Sequence, residues 1–144
     1  MTDESAQQKP VAGRAAAVAV PLASLAAVVA AFGYVGAVDP GEPGHYPVCP
    51  LLAYTGILCP GCGGLRSAHA VAHGELGTAI GDNALAVAAF TAFAVLWVVW
   101  FGRAVRGGPP LELRPRPVHW WSLAALALLF TAVRNSPLGA GLAP

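Results

Sequence analysis

The sequence predicts an all-α integral membrane protein with three transmembrane helices and a short interfacial or re-entrant helix in the connection between the first two. Of its 144 residues, 56% are hydrophobic and only 10% are charged, whereas soluble domains carry about 25% charged residues. The apolar residues are concentrated in three uninterrupted runs. The net charge of +1 excludes the basic face that a nucleic-acid-binding protein needs. The lipid bilayer is therefore the first partner that the composition predicts.

The three apolar runs cover residues 15–38, 84–101 and 118–133. A transmembrane helix needs about 17–25 apolar residues, so the third run lies at the lower limit. The first run is longer than the 7–15-residue core of a signal peptide, which favours an uncleaved helix. Asp82 and Asn83 form an N-cap pair in front of the second run. The remaining segments are a disordered cytoplasmic N-terminus (1–14), an outer connection (39–83), a cytoplasmic Arg/Pro loop (102–117) and an outer C-terminal tail (134–144).

Arginine placement predicts the orientation. The outer connection contains Arg66 alone, whereas the loop at 102–117 contains Arg103, Arg106, Arg114 and Arg116. Cytoplasmic loops carry the excess of basic residues, so we expect this loop and the N-terminus inside and residues 39–83 outside. All four tryptophans flank the same loop, as expected for side chains at one membrane interface. They are Trp97, Trp100, Trp120 and Trp121.

The outer connection contains most of the chemically versatile side chains. They are Cys49, Cys59, Cys62, Arg66, His69 and His73. The pattern predicts turns from Cys49 to Gly64, with Gly63 permitting a sharp bend, and then a helix over residues 65–73 that ends at Gly74. Arg66 and the two histidines would share one face of this helix.

The first interpretation of the cysteines is a disulfide, either structural or redox-active. Cysteines outside a membrane usually pair, and Cys59-Pro60-Gly61-Cys62 has the C-x-x-C spacing of thiol–disulfide exchange. The N-terminus of the following helix would stabilise a thiolate on Cys62. However, no thioredoxin-like βαβ pattern surrounds the motif.

The second interpretation is a metal site, and the third is plain structure. Cys59, Cys62, His69 and His73 are ligands of the type that tetrahedral zinc prefers, and Cys49 can replace one histidine. Zinc is the candidate cofactor in this interpretation. In the structural interpretation, Cys49 and Cys59 staple the loop while Cys62 packs as a small hydrophobic residue.

Nothing in the sequence assigns an enzyme activity or a small-molecule substrate. Ser67 and His69 are too close in sequence to act as nucleophile and base. The apolar runs contain no Asp, Glu, Lys or Arg, which argues against an ion path. The favoured function is a non-enzymatic membrane component whose Cys-rich loop is structural or docks a membrane-protein partner. The alternatives are a membrane thiol redox protein and an extracytoplasmic metal-binding site.

The motif also resembles a known family. The residues concerned are Cys49-Pro50, Thr55-Gly56, Cys59-Pro60-Gly61-Cys62-Gly63, Arg66, His73-Gly74, Asn83 and Arg134-Asn135-Ser136-Pro137. This string resembles the signature of small bacterial membrane proteins named domain of unknown function 2752. The resemblance implies a multi-span protein of the bacterial cytoplasmic membrane and marks the motif as the site. It implies no activity.

Overall fold

The computed structural model describes residues 8–109 and 114–142, and every regular element in these ranges is helical. The all-α prediction is confirmed for this part of the chain. The elements are α1 (Gln8–Ala37), α2 (Pro50–Thr55), α3 (Gly64–Ala72), α4 (Leu76–Val105), α5 (Pro117–Arg134) and a 3₁₀ helix (Pro137–Leu142).

Two of these helices are long and apolar enough to cross a membrane, which suggests membrane insertion. They are Ala16–Ala37 within α1 and Leu76–Val105, the whole of α4. The third predicted span is helical as α5, but α5 is not among the helices that reach this length and apolarity. Its 18 residues include His119, two tryptophans and the terminal Arg134, which shorten its apolar stretch below the length of about 20 residues that a span needs.

Several element boundaries differ from the prediction. The first helix begins at Gln8, inside the stretch expected to be disordered, while residues 1–7 lie outside the described ranges. Residues 50–55 form a helix where turns were expected. Local signals account for this helix, because Pro50 occupies a first-turn position and Gly56 closes it with a φ of +69°.

A kink divides α4 at Asn83, which has extended backbone angles (φ −162°, ψ 93°) inside an otherwise helical run. The Oδ1 atom of Asn83 accepts a hydrogen bond of 2.9 Å from the backbone N–H of Ala86. Extended backbone and a side-chain oxygen bonded three residues ahead are the geometry of an N-cap. The predicted cap in front of the second apolar run is thus confirmed. A helical segment from Leu76 also precedes the cap.

The chain divides into two compact units. The first comprises Met1–Ala30 and Ala92–Leu113. Its described part is held by Trp97, whose indole N–H donates to the carbonyl of Pro21 at 3.0 Å and lies 3.2 Å from the hydroxyl of Ser24. The Trp97 ring also stacks on Phe101 with 5.0 Å between centroids. These contacts join α1 and α4 within this unit.

The second unit comprises Ala31–Thr91 and Arg114–Pro144 and contains the Cys-rich segment. Small residues allow its helices to approach closely, since a Cβ on Gly36 would lie 3.1 Å from the Cβ of Ala72. The Ser67 hydroxyl, which is fully buried, donates to the carbonyl of Ala79 at 2.9 Å and ties α3 to α4. The core of this unit is therefore made of small side chains and satisfied polar groups.

Candidate metal centre

Cys49 is positioned by α2. It occupies the N-cap position of this helix, directly before Pro50. The backbone N–H of Ala53 donates to the carbonyl of Cys49 at 2.9 Å, which fixes the residue against the first turn. Its thiol is partly exposed.

Cys59 and Cys62 are positioned by a tight turn that leads into α3. The N–H of Cys62 donates to the carbonyl of Cys59 at 3.2 Å, and the N–H of Gly64 donates to the carbonyl of Gly61 at 2.9 Å. Gly63 follows with a φ of +77°, a left-handed conformation that strains any residue with a side chain. The glycine predicted to permit a sharp bend is therefore at the point where the backbone needs it.

The three thiols converge on one point. The Sγ atom of Cys59 lies 3.2 Å from that of Cys62 and 3.5 Å from that of Cys49. All three sulfur atoms lie within 4.8 Å of one another. Zn–S bonds of about 2.3 Å place the sulfur atoms of a tetrahedral site about 3.8 Å apart. The cluster can therefore hold one metal ion such as zinc with little rearrangement.

Side chains from distant parts of the sequence hold the backbone of this turn. The amide of Asn83 is 1% exposed and donates to the carbonyls of Pro60 and Cys62 at 2.9 and 3.0 Å. The amide of Asn135 donates to the carbonyl of Leu58 at 2.9 Å and accepts from its N–H at the same distance. Because these donors satisfy the carbonyls, the turn keeps its shape without a β-sheet or a long helix.

Arg134 also reaches this turn, although it ends α5. One of its terminal nitrogens donates to the carbonyl of Cys62 at 2.8 Å and the other to the carbonyl of Asp82 at 3.0 Å, while its Nε donates to Leu142 at 2.7 Å. The side chain is only 3% exposed. No carboxylate lies within ion-pair distance of it in the part of the chain that the structure describes. This buried cation is thus held by carbonyl dipoles and by the ring of Phe130, whose centroid lies 5.2 Å from its Cζ atom.

The pKa values of the Cys49 and Cys62 thiols are shifted in opposite directions. Burial, followed by the neighbouring thiols of Cys59 and Cys49, raises the pKa of Cys62 to about 12. The pKa of Cys49 is lowered, first by the backbone amide of Leu52 and then by the thiols of Cys59 and Cys62. The prediction that the start of α3 stabilises a thiolate on Cys62 is therefore wrong, because desolvation outweighs any effect of the helix.

The two histidines predicted as metal ligands are engaged elsewhere. The Nδ1 atom of His69 is hydrogen-bonded to the carbonyl of Val35 at 2.8 Å, and that of His73 to the carbonyl of His69 at 2.9 Å. The cluster found among the described residues contains the three cysteines and neither histidine. Of the side chains predicted as ligands, the structure brings Cys59 and Cys62 together with Cys49, the predicted substitute for one histidine, and leaves His69 and His73 outside this group.

The glycine at position 74 behaves as the sequence predicts. It has a φ of +78° and follows His73, the C-cap of α3. Its N–H donates to the carbonyl of Val71 at 3.0 Å, and the N–H of Glu75 donates to that of Ala70 at 2.8 Å. This pair of hydrogen bonds is the Schellman motif, which ends α3 and directs the chain into α4.

The sequence did not predict the contacts of Arg134 and Asn135. It placed them in the outer C-terminal tail and in the family-like motif without a contact, and the structure shows that they bind the carbonyls of the Cys-rich turn. The signal that could have found them is their pairing after an apolar run, because an adjacent cation and amide offer many hydrogen-bond donors.

One family model matches part of the chain. Residues 49–97 match the model of a family described as Protein of unknown function (DUF2752). The predicted family resemblance is confirmed. The matched DUF2752 segment contains all three cysteines of the cluster as well as Asn83, and it ends before Arg134 and Asn135. No curated protein and no solved structure matches the chain.

Proposed function

We propose that the DUF2752 segment is a membrane-anchored metal-binding module in which Cys49, Cys59 and Cys62 hold one thiophilic divalent ion such as zinc. The observation that carries this proposal is the convergence of three sulfur atoms within 4.8 Å. Their convergence depends on a helix, a tight turn and three polar side chains from elsewhere in the chain.

The charge of the surroundings supports a bound metal. Burying a guanidinium without a counter-ion is costly, and Arg134 is buried with no carboxylate at ion-pair distance in the described ranges. Burial lowers the pKa of Arg134, while thiolates at Cys62 and Cys59 and, more weakly, the carboxylate of Asp82 raise it. Three thiolates around one divalent ion carry a net charge of −1. This charge is the counter-ion that the buried arginine lacks.

The protonation of the thiols is compatible with metal binding. A coordinating metal ion displaces the thiol proton even where the free pKa is high. For Cys62, burial keeps the unliganded thiol neutral, so the protein avoids a buried anion until the ion arrives. Metal binding then releases the proton to solvent.

The membrane arrangement belongs to the same proposal. We infer three spans, with the N-terminus and the Arg/Pro loop in the cytoplasm and the cysteine cluster outside. The arginine distribution supports this orientation. A reagent that cannot cross membranes should label Cys49 after reduction, but should not label the thiol introduced by Gly108→Cys. Labelling at position 108 with protection of Cys49 would reverse the orientation.

A second candidate function is thiol–disulfide exchange with a membrane-protein partner, favoured by the separation of 3.2 Å between the sulfur atoms of Cys59 and Cys62. In this reaction the Cys59 thiolate attacks a partner disulfide, and the Cys62 thiolate then displaces the partner. The partner leaves with two thiols, and a Cys59–Cys62 disulfide remains. The pKa of about 12 at Cys62 disfavours the second step, because only the thiolate is nucleophilic. We therefore rank this function below metal binding.

Native and denatured intact masses of the detergent-purified protein, measured without reductant, distinguish the candidates. Metal binding predicts a native mass that exceeds the denatured mass by one metal ion, which a chelator removes. Exchange chemistry predicts a denatured mass short by two hydrogens. A metal-free native protein with three reduced thiols would refute metal binding. If Cys59 also formed no trappable mixed disulfide with a partner, exchange would be refuted as well, leaving the loop as a structural or partner-docking element.

Single substitutions then test the ligands. Cys49→Ser, Cys59→Ser and Cys62→Ser should each reduce the bound metal to a small fraction of the wild-type content. His69→Ala and His73→Ala are the matched controls from the same segment and should retain it. Metal loss in the histidine variants, with retention in Cys49→Ser, would contradict the three-cysteine site.

A further inference from the structure

A cavity of about 440 Å³ lies beside the cysteine cluster. Its wall includes two of the three thiols, those of Cys49 and Cys62. An ion held by the cluster would therefore lie next to this cavity. The volume is within the range of about 300–1,000 Å³ that is typical of small-molecule sites.

Two charged side chains of opposite sign line the same cavity, Arg66 from α3 and Glu42 from the loop before α2. Neither has an ion-pair or side-chain hydrogen-bond partner in the described part of the chain. Both are exposed, so solvent satisfies them in the unliganded protein. They are available to pair with a cation and an anion carried by one ligand.

Besides the two charges, the coordination chemistry of the metal sets a requirement for the ligand. Zinc bound to three protein ligands keeps a fourth tetrahedral position for water or a substrate. The three thiolates make this position suitable for another sulfur donor, since ions that select thiolate ligands are thiophilic. The remaining ligand should therefore present a thiol to the metal.

We propose that this cavity binds a small zwitterionic thiol, a molecule of the cysteine type, whose sulfur completes the metal site while its carboxylate pairs with Arg66 and its ammonium group with Glu42. This inference rests on the proposed metal-binding function. The thiol loses one proton to solvent on binding, the metal–water bond breaks and a metal–sulfur bond forms. No electrons are transferred.

Cobalt(II) substituted for zinc makes the test visible, because the ligand-field spectrum changes when a sulfur donor replaces water. Four probes separate the charges: cysteine carries both, 3-mercaptopropionate only the carboxylate, cysteamine only the ammonium group, and 2-mercaptoethanol neither. Each is titrated into the cobalt-loaded protein under excess cobalt, with the metal content checked at the end point.

Two variants assign the charges. Arg66→Gln should weaken binding of cysteine and 3-mercaptopropionate by about three- to fivefold, as expected for exposed ion pairs, and leave cysteamine unchanged. Glu42→Gln should weaken cysteine and cysteamine by a similar factor and leave 3-mercaptopropionate unchanged. Arg106→Gln removes an exposed arginine that does not line the cavity and should change none of them. Comparing one probe across variants cancels differences in thiol acidity.

The outcomes separate this inference from the proposed function. If cobalt binds with thiolate bands but no thiol alters the spectrum, the inference is overturned and the metal site stands. Spectral changes that are equal in all variants, or thiols that strip the metal, also overturn it. If cobalt does not bind at all, the proposed function fails and the inference fails with it.

Discussion

Replacing Asn83 with serine separates two roles of this side chain. Its amide donates to the carbonyls of Pro60 and Cys62, and its oxygen caps the second part of α4. A serine hydroxyl also caps helices but is too short to reach the turn. Asn83→Ala removes both roles.

The free-energy cost of removing the Asn83 amide depends on whether each carbonyl keeps another hydrogen-bond donor. The carbonyl of Cys62 still accepts a hydrogen bond from Arg134, so losing the bond from Asn83 costs about 1 kcal/mol. The part-buried carbonyl of Pro60 is left without this donor, which costs up to about 2 kcal/mol. The turn is therefore destabilised by roughly 3 kcal/mol in both variants. Loss of the cap adds about 1 kcal/mol in Asn83→Ala alone.

The assay is zinc affinity by competition with a chromophoric chelator, together with thermal unfolding in detergent. If binding must reorder the loosened turn, about 3 kcal/mol corresponds to roughly 100-fold weaker zinc binding in both variants. Asn83→Ala should additionally unfold at a lower temperature than Asn83→Ser. Wild-type zinc affinity in Asn83→Ser would refute the reasoning, because the turn would then hold its thiols without this anchor.

Three further predictions concern the thiols and the C-terminal 3₁₀ helix. In the metal-free protein at pH 8, iodoacetamide should alkylate Cys49 at least about 50-fold faster than Cys62. The reason is that the pKa of Cys49 is lowered while that of Cys62 is raised to about 12. Peptide mass spectrometry measures the two rates, and equal rates would contradict this prediction. Zinc affinity should rise about tenfold per pH unit between pH 6 and 8 from Cys62 alone, since a proton is displaced from a thiol titrating far above this range; a flat profile would exclude Cys62 as a ligand. Gly139→Ala should lower the unfolding temperature by several degrees, because the added methyl group would collide with the backbone of Val133. Gly141→Ala is the control and should not lower it, since a methyl group there meets nothing within 4 Å. Equal effects would count against the described packing of this helix.

The helices could be predicted because their signals are local. Long apolar runs identify α1 and α4, and the end of α3 follows from Gly74 alone. The same kind of signal was available for α2, where Pro50 and Gly56 mark the two ends of a helix only six residues long. That helix was missed because such a short helix carries too little hydrophobic periodicity to be distinguished from turns.

The composition of the cysteine cluster could be predicted only in part. The spacing of Cys59 and Cys62 suffices to place them together, but adding Cys49 requires knowing that α2 returns the chain to the same point. His69 and His73 share a helix face, yet the rotation of α3 in the folded unit directs His69 to Val35. Which face of a short helix meets the site depends on tertiary packing.

The anchoring of the turn was beyond local reasoning. Arg134 and Asn135 lie more than seventy positions from the carbonyls they bind, as the separations of 72 and 77 residues show. A terminal arginine after an apolar run usually reaches the interface between membrane and water. The adjacent cation and amide mark this position as rich in hydrogen-bond donors, but nothing local shows which distant carbonyls they bind.

X-ray absorption at the zinc edge of the loaded protein tests the central claim most directly. Coordination by Cys49, Cys59 and Cys62 predicts three sulfur neighbours at about 2.3 Å and, without added thiol, one lighter neighbour near 2.0 Å. A shell of two sulfur and two nitrogen atoms would instead support the histidine ligands and contradict the three-cysteine site. A shell without sulfur would refute metal binding by the cluster altogether.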